Sequence, residues 1–117
     1  MLERLKDAPD QVIGLGASGT VVARDIEDAI RLSAGSGGSI PAGLVVVVDR
    51  DFDGYFAEIA RALTDASRAH QSLARLALVT DADRLDEARL SGFDGSPVRL
   101  FATADRRAAL DWAAARQ

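Results

Sequence analysis

Five consecutive apolar residues, 44–48, constrain the fold of this 117-residue chain more than any other feature. The run reads Leu-Val-Val-Val-Val, and the β-branched side chain of valine favours strands. A strand with one face in water alternates apolar and polar residues, whereas an unbroken apolar run is typical of a strand covered on both faces. We therefore expect residues 44–48 to lie inside a sheet that helices cover on its faces.

Hydrophobic periodicity elsewhere predicts the remaining elements. The predicted strands are residues 1–5, 12–22, 44–48, 76–79 and 98–101. The predicted helices are residues 24–34 and 55–70, a short helix ending near residue 90, and a last helix over residues 103–116. The first two strands form an antiparallel hairpin, and the later strands alternate with helices, which favours parallel crossovers. The order predicts a single α/β domain over residues 1–117, with a four- to five-stranded, mixed but mainly parallel sheet and about four helices.

Composition argues against several classes of protein. Cysteine is absent, which excludes disulfides and thiolate metal sites, and the net charge is −4 with arginines scattered singly among acids. That charge distribution argues against nucleic acid as a partner. No apolar stretch approaches the roughly 18 residues of a spanning helix, and the N-terminus lacks the apolar core of a signal peptide. We expect a bacterial, cytoplasmic protein with at most peripheral membrane contact.

Residues 14–19 read Gly-Leu-Gly-Ala-Ser-Gly and match the glycine fingerprint of dinucleotide-binding sites. That fingerprint needs a full strand before its first glycine and a helix at its third. Here Val12 and Ile13 are the only apolar residues between the turn around Pro9 and Gly14, and the β-branched residues after Gly19 favour a strand. We therefore expect no dinucleotide cofactor.

Residues 49–54 read Asp-Arg-Asp-Phe-Asp-Gly, which matches the first half of a calcium loop. The twelfth position of such a loop is a bidentate glutamate, and here it is Ala60. A strand ending in Asp-x-Asp also resembles an aspartyl phosphatase, but the one lysine, Lys6, is distant in the sequence. We expect no metal site and no enzymatic activity, and we rank a metal-assisted enzyme using Asp49, Asp51 and Asp53 last.

Aromatic side chains cluster in the turn between the central strand, residues 44–48, and the next predicted helix. Ligands of open α/β sheets favour the crevice beyond the carboxyl ends of the strands. The sequence thus predicts an apolar pocket, and the residues expected to line it are Phe52, Tyr55, Phe56, Ile59 and, on a facing loop, Phe93. The alternative is that Phe56 belongs to the core and the other two aromatics anchor the loop. Trp112, in the last helix, is expected to anchor the core.

The hairpin, the strand that enters the acidic turn and the order of elements together resemble the SpoIIAA-like family of small bacterial proteins, which have the STAS-type fold. The resemblance is carried by residues 1–5, 9–14, 17–21, 45–55, 76–81, 98–101 and 107–112. Sigma-regulatory antagonists of this type carry a phosphorylated serine at the start of the helix after the central strand. Asp53, Gly54 and Tyr55 stand at that place, so no phosphoserine switch is expected.

The resemblance implies a non-enzymatic protein, for which two functions are expected. The first is a binding module for an apolar or amphiphilic small molecule, a lipid or a membrane surface. The second is a STAS-like regulatory module that binds a partner protein or a second copy of the chain without a phosphoserine switch. No catalytic residue is implied by the resemblance.

Overall fold

A computed structural model describes residues 1–9, 12–34, 42–70, 73–90 and 98–114 of the chain. The strands are β1 (Leu2–Arg4), β2 (Val12–Ala17), β3 (Gly43–Val48), β4 (Arg75–Thr80) and β5 (Val98–Ala102). The helices are α1 (Ala23–Ala34), α2 (Phe56–Ala69), α3 (Leu85–Ala88) and α4 (Arg106–Ala114). Short 3-10 turns, Ala82–Arg84 and Thr103–Asp105, lead into α3 and α4. The predicted α/β fold class and order of elements are confirmed.

The five strands form one mixed sheet in the spatial order β1-β2-β3-β4-β5. β1 runs antiparallel to β2, and the other neighbours are parallel, with Leu15 opposite Val46 and Val46 opposite Leu78. Each crossover moves one strand further in the same direction. Because such crossovers are almost always right-handed, a steady progression leaves all the connecting helices on one face of the sheet.

That face carries α1, α2 and α3 and the larger of two cores. Ile26 from α1, Leu63 from α2 and Val46 from β3 are among its fully buried members. The opposite face is covered by α4, which buries Leu110 and Ala113 against the second set of strand side chains. All six residues of β3 are consequently buried, as the unbroken apolar run predicts.

The second strand is shorter than its sequence pattern predicts. Alternation of small and apolar residues continues to residue 22, but β2 ends at Ala17, opposite Val48 at the end of β3. Gly19 then adopts a positive φ of 59°, a left-handed conformation in which a strand cannot continue. Val21 is still buried, because the loop folds back over the core. The apolar pattern therefore reflects burial of the loop and not an extension of the strand.

The last helix also differs from its predicted form. The predicted helix covers residues 103–116, but Thr103–Asp105 form a 3-10 turn in which the hydroxyl of Thr103 donates a hydrogen bond to Asp81, and α4 begins at Arg106. No helix in the described parts of the chain is long and apolar enough to cross a membrane.

Candidate functional site

Parallel strands bring several polar segments to one edge of the sheet. β2 to β5 all end there, and the chain then enters residues 18–22, 49–55, 81–84 and 103–105. We call these four segments the carboxyl edge. In open α/β sheets this edge is the usual location of a ligand site.

The acidic turn that follows β3 is fastened to the neighbouring loop. The amide of Asp49 donates to the carbonyl of Ala17 at 2.8 Å, and the amide of Asp53 donates to the carbonyl of Gly19 at 2.9 Å. The hydroxyl of Thr20 donates to a carboxylate oxygen of Asp53 at 2.6 Å. These bonds fix the backbone of the turn, so the side chains that it exposes have defined positions.

The carboxylates of this turn are not arranged as a metal centre. Within the residues that the structure describes, no group of three or more histidine, aspartate or glutamate side chains is placed to hold a metal ion. Asp49 and Asp51 are exposed, and the carboxylate of Asp53 accepts a hydrogen bond from the hydroxyl of Thr20. The turn is therefore a solvated anionic surface.

The five residues predicted to line an apolar pocket are not all brought together. Phe52, Phe56 and Ile59 are 3%, 1% and 0% exposed, and the two phenylalanine rings meet with centroids 5.5 Å apart. Tyr55 is 77% exposed, while Phe93 lies outside the described residues. Phe52, Phe56 and Ile59 are therefore members of the larger core.

Arg84, which the sequence analysis does not single out, covers the buried phenylalanines. Its guanidinium carbon lies 5.6 Å from the ring centroid of Phe52 and 4.8 Å from that of Phe56. The same guanidinium donates to the carbonyl of Phe52 at 3.1 Å and lies 3.5 Å from the carboxylate of Glu87. Arg84 thus fastens the segment after β4 onto the start of α2. Nothing in the local sequence marks its contact with the phenylalanines, because the Phe52 carbonyl that it bonds lies 32 residues away.

A second polar junction links the ends of β3, β4 and β5. Asp81 accepts a hydrogen bond from Thr103 at 2.8 Å and pairs with Arg50 at 3.2 Å. The open depression around it has a volume of 480 Å³. Next to Asp81, the side chain of Thr80 is buried and its hydroxyl has no hydrogen-bond partner in the structure.

The beginnings of α1 and α2 are also joined. No hydroxyl precedes α1, and the amide of Ala23 instead donates to the carboxylate of Glu58 in the first turn of α2, at 3.3 Å. Val22 and Tyr55, the residues before the two helices, are both exposed. We call the exposed side chains Val22, Asp51, Asp53 and Tyr55 the Tyr55 surface. It combines the exposed side chains of Val22 and Tyr55 with two exposed carboxylates, and hydrogen bonds fix the backbone of the turn that carries most of them.

No family model matches this chain, and no curated protein matches it significantly. Among solved structures, the chain is similar to an uncharacterized protein of the DUF3478 family, from Shewanella loihica PV-4, described as having a SpoIIAA-like fold. The match covers 97% of this chain and 90% of the other, with a TM-score of 0.54 and 21% sequence identity. The predicted SpoIIAA-like fold is thereby confirmed, and the likeness concerns the fold alone.

Proposed function

We propose that this SpoIIAA-like domain is a non-enzymatic interaction module that binds a partner protein through the Tyr55 surface. The observation that carries the proposal is Tyr55 itself, a large aromatic side chain left 77% exposed on a turn whose backbone is held by several hydrogen bonds. Tyrosine is enriched among the residues that dominate binding energy in protein interfaces. The SpoIIAA-like fold and its STAS-type resemblance support the same function.

Rigidity and charge both favour binding at this surface. A preorganised turn loses little conformational entropy when a partner docks, so more of the contact energy remains as affinity. Asp51 and Asp53 precede Tyr55 on the same turn, and both are exposed. Exposed carboxylates attract partners with a basic surface and speed their encounter, mainly at low salt. We therefore expect a partner that offers arginine or lysine around an apolar pocket.

The test is affinity capture from an extract of the native cells, with mass-spectrometric quantification. Wild-type protein is compared with Tyr55→Ala and with a matched control, Leu32→Ala, since Leu32 is 81% exposed near the end of α1. The proposal predicts a protein retained by the wild type and the control but depleted at least tenfold by Tyr55→Ala. Sedimentation of the three purified proteins separates a second copy from a different partner. Equal retention of every protein by Tyr55→Ala and wild type would refute the proposal.

A second candidate function is binding of an amphiphilic small molecule at the buried phenylalanines. The observation that favours it is the position of Arg84, a cation stacked on the two rings that also bonds the backbone of Phe52. A fatty acid or phospholipid that displaced this side chain would meet Phe52, Phe56 and Ile59 with its apolar part and Arg84 with its anionic head. By alternation with Leu76 and Leu78, the unpartnered hydroxyl of Thr80 lies on the same face of the sheet and offers a polar contact there.

Native mass spectrometry of the purified protein, followed by lipid extraction, tests this candidate. A bound lipid in the wild type is expected to be lost or reduced in Arg84→Ala and retained in Arg89→Ala, whose arginine is exposed and pairs with Asp86. An apo mass, with no binding of oleate or of phosphatidylglycerol vesicles, would exclude it. That outcome leaves the Tyr55 surface untouched, because the two candidates use different side chains.

A further inference from the structure

Two arginines and two aromatic rings meet on the sheet face opposite to α1, α2 and α3. Arg75 opens β4, and Arg99 lies on β5 directly opposite Ala77. Side chains alternate between the two faces along a strand, so both arginines are on the same face as Ala77 and Phe101. This is the face that α4 covers, and Trp112 of α4 reaches the same place.

Both guanidinium groups stack on the same indole. The guanidinium carbon of Arg75 lies 5.2 Å from the ring centroid of Trp112, and that of Arg99 lies 5.4 Å from it. Arg99 is also 5.2 Å from the ring of Phe101, which in turn packs on Trp112 with centroids 5.9 Å apart. Stacking on aromatic faces holds the planar guanidinium groups in defined orientations.

Arg75 and Arg99 have no carboxylate partner among the described residues, a property that they share with the exposed Arg4, Arg24, Arg61 and Arg68. Six arginines of the described residues form ion pairs: Arg31, Arg50, Arg84, Arg89, Arg106 and Arg107. Three of the described arginines are partly buried, namely Arg75, Arg84 and Arg106. Of these three, Arg75 alone has no carboxylate partner among the residues that the structure describes. Its buried Nε–H donates to no partner, whereas Arg106, whose Nε–H is also buried and unpartnered, still pairs through a terminal nitrogen with Asp7 at 2.7 Å.

An unpaired cation that is partly removed from water is costly, and a second cation beside it raises the cost. The indole offsets part of this through its quadrupole, by on the order of 1 kcal/mol for each contact. An oxyanion would offset more, because a guanidinium binds a carboxylate or phosphate through two parallel charge-assisted hydrogen bonds. In a chain with a net charge of −4, this is a local cationic site in an otherwise acidic protein.

We propose that Arg75, Arg99 and Trp112 form a binding site for a small molecule that carries a phosphate or carboxylate group. The terminal nitrogens of the two guanidinium groups hold the oxyanion, and the rings of Trp112 and Phe101 offer an apolar wall to the rest of the ligand. The site lies on the opposite face of the sheet from the helices that carry the Tyr55 surface. The two proposals use different residues, so a test that refutes one leaves the other unaffected.

Trp112 is the one tryptophan of the chain, so its fluorescence reports directly on this site. Wild-type protein is titrated with sodium phosphate and with sodium succinate, each against sodium chloride of equal ionic strength, and calorimetry confirms the stoichiometry. The proposal predicts a saturable change with at least one of the two anions. The stronger response identifies whether the site prefers phosphate or carboxylate.

Variants then assign the response to the arginines. Arg99→Gln is the main variant, because Arg99 is exposed and its loss is not expected to unfold the protein. It should weaken binding at least tenfold, while Arg61→Gln, which removes an exposed arginine of α2, should leave binding unchanged. A fluorescence response no different from that in sodium chloride, or equal binding by Arg99→Gln and Arg61→Gln, would overturn the proposal.

Discussion

Substituting Gly43 by alanine should dislodge α4, the helix that covers the second face of the sheet. A Cβ built on Gly43 would overlap the carbonyl oxygen of Ala113 and would lie 2.9 Å from its carbonyl carbon and 3.1 Å from its Cβ. Two of these atoms belong to helix backbone, so no side-chain rotation relieves the overlap. Either α4 moves away from β3 or the start of β3 bends away from the sheet.

The loss of stability follows from the apolar surface that this movement would expose. α4 buries Leu110 and Ala113 against Val45, Val47 and neighbouring strand residues. Forcing extra atoms into a packed core costs about 1–3 kcal/mol, and the backbone position of this clash places Gly43→Ala at the upper end, about 2–3 kcal/mol. Replacing glycine by alanine also restricts the unfolded chain, which stabilises a protein by about 0.4–1 kcal/mol where the backbone conformation permits alanine.

Gly16→Ala is the matched control for that unfolded-state effect. Gly16 is also a strand residue without a positive φ, and its added Cβ would be 3.4 Å from a methyl group of Leu5, an ordinary contact. We expect Gly16→Ala to be neutral or slightly stabilising. Urea unfolding followed by Trp112 fluorescence should show Gly43→Ala unfolding at a midpoint roughly 1–2 M below that of Gly16→Ala. Equal midpoints for the two variants would refute the inferred contact between β3 and α4.

Two further predictions concern the carboxyl edge. Thr80→Val should stabilise the protein by about 1 kcal/mol, because it removes a buried hydroxyl without a hydrogen-bond partner and changes the shape of the side chain little. Urea unfolding measures this, with Thr103→Val as the comparison. Thr103→Val should be less stable than the wild type, because the hydroxyl of Thr103 bonds Asp81. Stabilisation of both or of neither would contradict it. Arg84→Ala should destabilise by about 1–2 kcal/mol through loss of its carbonyl bond and its ring contacts, against less than about 0.5 kcal/mol for the exposed Arg89→Ala. Equal thermal midpoints for these two variants would show that Arg84 does not hold the segment after β4 in place.

The fold is predictable from the sequence to the extent that local periodicity reports burial. The apolar run in β3 is an example, since each of its residues is buried as the pattern indicates. The end of β2 is not predictable in this way. Val21 belongs to a loop but is buried, so the alternation of apolar residues continues in the sequence beyond the last residue of the strand. The interruption comes from the backbone of Gly19, and glycine is compatible with both a strand and a turn.

The candidate site is less predictable, because its contacts join residues that are distant in sequence. Phe52, Tyr55 and Phe56 lie at the carboxyl edge, as their place after β3 in the sequence indicates, but a sequence pattern does not specify which of the three is exposed. Exposure of Tyr55 depends on its position as the last residue before α2, outside the face of the helix that packs on the sheet. The contact of Arg84 with Phe52 depends on the crossover that lays α3 beside α2, which is a property of the topology.

The same topology explains why arginines gather around Trp112. Every crossover in this sheet adds its helix to one face, so the opposite face depends on the one helix that follows the last strand. A helix of nine residues, Arg106–Ala114, is too narrow to cover five strands. Toward β1 the gap is filled by Leu5 and Ala8, whereas toward β5 it is filled by Phe101, Trp112 and the stacked guanidinium groups. Of the two arginines, Arg75 is partly buried and Arg99 is exposed. A leucine in place of Arg75 would cover the β5 side without the cost of a partly buried charge, a cost that an anion bound at the proposed site would offset.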